Sequence, residues 1–123
     1  MFQEYNSSGK HMICDFKGIQ NLDLLNNLDE LKNVLKEVCK NNDFNILNEV
    51  EYKFHPIGLS ILFLLSESHL SVHTFPEKNH MSFDIYTCRQ YSDNAAYMEM
   101  FKFLSNKLQA SLDSNYKIID RYF

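Results

Sequence analysis

Apolar residues recur along this chain with two different periods, and the changes of period divide it into elements. Leu22, Leu25, Leu28, Leu31, Leu35 and Val38 follow one another every three or four positions, which predicts an amphipathic helix over Leu22–Cys39. Its other face, with Asp29, Lys32, Lys36 and Glu37, is left to water. The run KNNDFN ends it, because Asn and Asp side chains bond their own backbone in turns. A second stripe, Tyr97, Phe101, Leu104, Leu108 and Leu112, predicts a helix from about Asn94 to Leu112, with Ser92, Asp93 and Asn94 as candidate N-caps.

Two-residue alternation marks the strands. His69–Phe75 sets Leu70 and Val72 on one face and His69, Ser71, His73 and Phe75 on the other. Ser82–Cys88 sets Phe83 and Ile85 against Ser82, Asp84, Tyr86 and Cys88. Lys10–Phe16, Asn45–Phe54, Ser60–Glu67 and Tyr116–Phe123 complete the set. The segment SILFLLSE is apolar on both faces, which predicts a central strand covered on both sides. His-Pro-Ile-Gly supplies the turn before it, and Phe75–His80, with Pro76, a hairpin-like loop. The order β-α-β-β-β-β-α-β predicts an α+β fold, a two-layer sandwich of a mostly antiparallel sheet with two helices on one face. The other face is then free for a site or a subunit interface.

Composition narrows the function. A chain of 123 residues holds one domain and leaves no room for a separate cofactor-binding domain. A net charge of −4 argues against nucleic acid and anionic lipid as partners, since both need clustered Lys and Arg. Cys14, Cys39 and Cys88 are odd in number and widely spaced, so neither a disulfide framework nor a zinc pattern is expected. The start lacks the layout of a signal peptide, and the longest apolar run, Ile61–Leu65, is too short to cross a bilayer. A reducing cytoplasm is the expected location.

The densest polar cluster is Ser66–Thr74. His69 and His73 have an H-x3-H spacing, but on a strand four residues span about 13 Å. Their rings cannot share an ion locally, and no metal is expected. A hydrolase arrangement of Ser68, His73 and Asp84 lacks the Gly-x-Ser-x-Gly elbow. For any one Ser or His of the cluster taken alone, hydrogen bonding within a sheet edge is the better account.

The wider context is more specific. Ser66-Glu67-Ser68-His69-Leu70-Ser71-Val72-His73-Thr74-Phe75-Pro76-Glu77 is followed by Asp84-Ile85-Tyr86-Thr87-Cys88 and preceded by Gly9-Lys10-His11 through Asp15. These segments, and the whole of Phe54–Cys88, resemble the prokaryotic type of S-adenosylmethionine decarboxylase: its self-cleavage segment, its second motif and its opening Gly-x-His strand.

The resemblance implies a proenzyme that cuts itself between Glu67 and Ser68, giving a β chain, 1–67, and an α chain, 68–123. Ser68 becomes a pyruvoyl group, the covalent cofactor, which forms a Schiff base with the substrate amine. His73 handles the proton during processing, assisted by Ser60, and Cys88 reprotonates the decarboxylated product. A thiol suits that task, since a reference pKa near ~8.5 keeps it mostly protonated at neutral pH. Cys14 and Cys39 read as buried filler. Phe54 matches an aromatic that packs on the adenine, Phe75 a stacking position, and Glu77 a binding-loop carboxylate. The implied substrate is S-adenosylmethionine, the products S-adenosylmethioninamine and CO2 for spermidine synthesis, and the implied assembly a homodimer of cleaved protomers.

Two departures bear on the substrate: Lys78-Asn79-His80-Met81-Ser82 replaces a Gly-aromatic-Ala-Ala run, and Arg89 stands where relatives usually have Gly. They motivate an alternative in which ornithine or arginine is decarboxylated by the same chemistry. A non-catalytic relative that binds a partner on the free sheet face is the third reading, and the intact Ser68, His73 and Cys88 count against it.

Overall fold

A computed structural model describes residues 6–123. Its elements run β1 (Ser7–Phe16), α1 (Leu28–Asn41), β2 (Ile46–Lys53), β3 (Leu59–Leu65), β4 (Ser68–Phe75), β5 (His80–Thr87), α2 (Ala95–Leu108) and β6 (Asn115–Tyr122), with short 3-10 turns at Leu24–Asn26 and Pro76–Lys78. The six strands form one antiparallel sheet in the order β2-β3-β4-β5-β1-β6. β1, early in the chain, therefore lies between β5 and β6, which come from its end.

Both helices cover the same face. Met12, Cys14 and Phe16 of β1, Ile61 and Phe63 of β3, Leu70 and Val72 of β4 and Phe83 and Ile85 of β5 are buried in one cluster with Leu31, Leu35 and Val38 of α1 and Tyr97, Leu104 and Leu108 of α2. The two-layer α+β sandwich expected from the alternation is the observed architecture. The opposite sheet face is open. It carries His11, Ile13 and Asp15 from β1, Leu62 and Leu64 from β3, His69, Ser71 and His73 from β4, and Ser82, Asp84 and Tyr86 from β5.

Three expectations need correction. The first helix does not run unbroken from Leu22: Leu24–Asn26 form a 3-10 turn, and α1 starts after Asn27, whose side chain accepts the Glu30 N–H at 3.1 Å. An Asn that satisfies a free helix N–H outside the helix competes with its own place inside one. α2 stops at Leu108, with Gln109 in the left-handed region (φ 52°), so Leu112 lies beyond the stripe and is exposed. Of the three candidate N-caps of α2, Asp93 supplies the side chain, its carboxylate accepting the Ala95 N–H at 2.9 Å, and Asn94 makes no side-chain cap. Finally, β3 is second from the edge, and Leu62 and Leu64 are exposed on the open face of the single chain. Its doubly apolar sequence reports a face left for another surface rather than a covered central strand.

Candidate active site

The residues singled out by sequence lie in two groups, one at each end of β4. The first group is at the β3–β4 turn. Ser68 opens β4 opposite Leu65 on one side and Thr87 on the other. Its backbone has φ 147°, a conformation that L-residues rarely adopt and that costs on the order of 1–3 kcal/mol. The preceding carbonyl, that of Glu67, accepts the backbone N–H of Cys88 at 2.8 Å. Among the described residues the Ser68 hydroxyl takes part in no side-chain hydrogen bond.

Close packing from β1 completes this corner. Gly9 has φ +119°, and a Cβ there would sit 1.8 Å from the Thr87 carbonyl oxygen and 2.7 Å from Cys88 Cα. Thr87 is anchored below by its buried hydroxyl, 2.8 Å from the Tyr97 hydroxyl of α2. Cys88 emerges from β5 into an exposed position, whereas Cys14 and Cys39 are buried. Burial pushes the Cys14 thiol up to about 12 and the Cys39 thiol up to about 11, so both remain protonated filler.

The second group surrounds the opposite ends of β3 and β4. Ser60 and His73 face each other across the ladder, with Ser60 Oγ 2.7 Å from His73 Nδ1. They line a pocket of about 370 Å³ together with Phe54, Phe75 and Glu77. Its floor is fixed by Thr74, whose hydroxyl donates to the Leu25 carbonyl at 2.7 Å and accepts the Leu59 N–H at 2.9 Å. Phe54 and Phe75 remain partly exposed at its rim. The structure thus brings together five of the residues matched to processing and substrate binding, and does so without Ser68. Five residues of strand separate Ser68 from His73, or roughly 16 Å at ~3.3 Å per residue. The hydrolase triad is excluded on this geometry, because neither Ser68 nor Asp84 reaches His73.

Asp84 has other partners. It accepts from the Ser71 hydroxyl, lies 2.6 Å from His11 Nε2 and 3.4 Å from His69 Nε2, all on the open sheet face. Burial works against its charge, but the Ser71 and His11 hydrogen bonds outweigh it and hold the carboxyl below its usual range. His11, His69 and Asp84 place their ligand atoms within 4.8 Å of one another. The other ring nitrogen of His11 is 3.3 Å from the Arg121 guanidinium, a donor where a metal-bound imidazole needs an acceptor. The set is therefore a hydrogen-bonded network.

A family model described as S-adenosylmethionine decarboxylase matches residues 10–122. The chain belongs to that family. A Bacillus cereus S-adenosylmethionine decarboxylase proenzyme 2 is 42% identical over 85 residues, covering 69% of this chain and 68% of the relative. A Clostridium botulinum S-adenosylmethionine decarboxylase proenzyme is 35% identical over 95 residues, covering 77% of this chain and 81% of the relative. The fold is also that of the adenosylmethionine decarboxylase from Aquifex aeolicus, whose crystal structure superposes with a TM-score of 0.82 over 96% of this chain and 93% of that one, at 23% identity.

Within this family setting, three contributors take a part in the Glu67–Ser68 corner that a sequence reading does not show. The Cys88 N–H acts through backbone and leaves no residue-type signal. Gly9 reads as part of a strand, and only the register of β1 on β5 brings it against Thr87 and Cys88. Arg89, visible as a departure from Gly, is turned toward Glu67, 2.9 Å from its carboxylate.

Proposed function

We propose that this chain is a self-processing decarboxylase that cuts itself between Glu67 and Ser68 and then acts on S-adenosylmethionine, releasing CO2 and S-adenosylmethioninamine for polyamine synthesis. The observation that carries the proposal is the Glu67–Ser68 corner. A strained serine follows a carbonyl already bonded to the Cys88 N–H, with no competing hydrogen bond on the serine hydroxyl.

Ser68 Oγ attacks the Glu67 carbonyl carbon, and the oxygen that gains charge is the one facing the Cys88 N–H, as in an oxyanion hole. The Glu67–Ser68 C–N bond breaks, the nitrogen takes a proton, and an ester replaces the amide. Elimination across Ser68 Cα–Cβ then expels the Glu67 carboxylate. That elimination makes residues 1–67 and 68–123 separate chains, and water then adds to the dehydroalanine left at position 68 as ammonia leaves. Position 68 suits a pyruvoyl group, since its carbonyl neighbour and Cys88 are within the same corner. That group supplies the electron sink for loss of the substrate carboxylate. The Cys88 thiol is exposed there to return a proton to the substrate carbon, and a reducing cytoplasm keeps it free.

Phe54 and Phe75 offer apolar surface for an adenine and Glu77 a carboxylate at the rim of the second pocket. That pocket, with Ser60 and His73, lies too far along β4 to serve Ser68 of its own chain. We therefore propose a homodimer in which one protomer's His73 pocket meets its partner's Glu67–Ser68 corner. The open face supports this, with exposed Ile13, Leu62, Leu64 and Ile119 forming apolar surface around the polar network.

Intact-mass measurement tests the first step: two chains are expected from the wild type and one from Ser68→Ala. A wild type that stays whole under all conditions overturns the proposal. CO2 release with S-adenosylmethionine, ornithine and arginine then tests the substrate. Turnover of ornithine or arginine without S-adenosylmethionine would transfer the same chemistry to the alternative substrate. That alternative draws no support from Arg89, whose guanidinium is engaged with Glu67 and the loop after α1.

A further inference from the structure

Arg89 is held by several partners at this end of the sheet, and one of them is the side chain of the residue before the proposed cut. Its Nη2 donates to Glu67 Oε2 at 2.9 Å and to the Asp43 carbonyl at 3.0 Å, while Nη1 donates to the Asn42 carbonyl and lies 3.4 Å from the Tyr91 hydroxyl. The guanidinium carbon stands 4.6 Å over the Phe44 ring. A planar fork held on both nitrogens and one face is fixed in orientation, which a lysine could not reproduce. The second oxygen of Glu67 accepts from the Ser66 hydroxyl at 2.5 Å. The Ser66 hydroxyl, and then Arg89, hold the Glu67 carboxyl below its usual range against the opposing effect of burial.

Glu67 is thus held at two points by consecutive residues. The Cys88 N–H takes its carbonyl and Arg89 takes its side chain. Two anchors on one residue remove the rotation that would turn the carbonyl away from Ser68, and attack geometry is sensitive to displacements of an ångström. The contacts also cross the cut: Asn42, Asp43, Phe44 and Glu67 lie in 1–67, and Arg89 in 68–123. Resting on the self-processing proposed above, we infer that Arg89 is a positioning residue for the cleavage. It presents the Glu67 carbonyl to Ser68 beforehand and holds the new C-terminus against the other chain afterwards.

The test follows cleavage of freshly synthesised precursor by intact mass for wild type, Arg89→Ala, Arg89→Lys, Glu67→Gln and the double variant Arg89→Ala/Glu67→Gln. Each is assayed with and without millimolar guanidinium chloride. Arg89→Ala should slow cleavage roughly tenfold or more. Guanidinium should restore part of that rate, and Arg89→Lys should recover less than the wild type. The double variant should be no slower than Arg89→Ala, because both changes break one contact. Thermal unfolding of the same substitutions on a Ser68→Ala chain separates folding from positioning. The inference is overturned if Arg89→Ala cleaves at the wild-type rate. It is equally overturned if the slow cleavage is insensitive to guanidinium and follows the loss of thermal stability across the variants. A wild type that never cleaves would instead remove the self-processing on which the inference rests.

Discussion

Gly9 is required at its position for two separate reasons, and both can be read from one atom that it lacks. A Cβ would overlap the Thr87 carbonyl, and the backbone has a φ of +119° that favours glycine. Gly9→Ala should therefore lower unfolding free energy by at least ~2 kcal/mol and also slow cleavage. Urea unfolding on a Ser68→Ala background, where the chain stays whole, measures the first effect, and intact mass the second. Asp84 makes a pH-dependent contribution. Its carboxyl is held below the unfolded value of about 3.9, so its stabilisation is complete above that value and is lost as pH falls through the lower, folded one. The stability difference between Asp84 and Asp84→Asn chains should be largest near neutral pH and shrink below about pH 4. A constant difference across an acid titration would contradict this.

At the scale of elements, helical period placed both helices and alternation placed β4 and β5, whose one open and one covered face impose a two-residue pattern. The other strands of the described residues were read from short apolar-rich runs and their flanking turns. What they missed was set by single side chains. Asn27 lies between Leu25 and Leu28 of an unbroken apolar stripe, yet its amide caps α1 from outside and breaks it from the preceding turn. Asn27→Ala should cost about 1 kcal/mol, read as a lower urea midpoint with an unchanged m-value. Edge strand β2 depends on α1 through Lys32, 2.8 Å from both Glu49 and Glu51. These two hydrogen-bonded carboxylates raise the Lys32 ammonium well above its ordinary range. The residue types of the candidate site were also legible, because Ser68, His73 and Cys88 carry their chemistry in side chains. The pairing of His73 with Ser60 across a ladder came only from the family resemblance, and the meeting of Cys88 with Glu67 through backbone left no residue-type signal.

For the whole molecule, the separation of roughly 16 Å between Ser68 and His73 gives a prediction that no single chain can satisfy. Co-expressed His73→Ala and Ser68→Ala chains should yield mixed dimers in which the His73→Ala chain is cut, using the His73 of its Ser68→Ala partner. Neither variant alone should cleave at the wild-type rate. Mass spectrometry of the mixture identifies which chain was cut, and the absence of any complementation would place both residues' action within one protomer. The strand order carries a further consequence. β1 is seated between β5 and β6, while β3 borders β4 across the proposed break. Cutting after Glu67 therefore leaves two peptides woven through one sheet, held by three ladders and no shared backbone. An intact precursor keeps its halves joined when it unfolds; the cut protein must find its other half by diffusion, so its melting temperature should rise more steeply with concentration than that of the uncut Ser68→Ala chain. Such a molecule has to fold before it is cut, and heat that separates the halves erases an order of events that dilution prevents it from repeating.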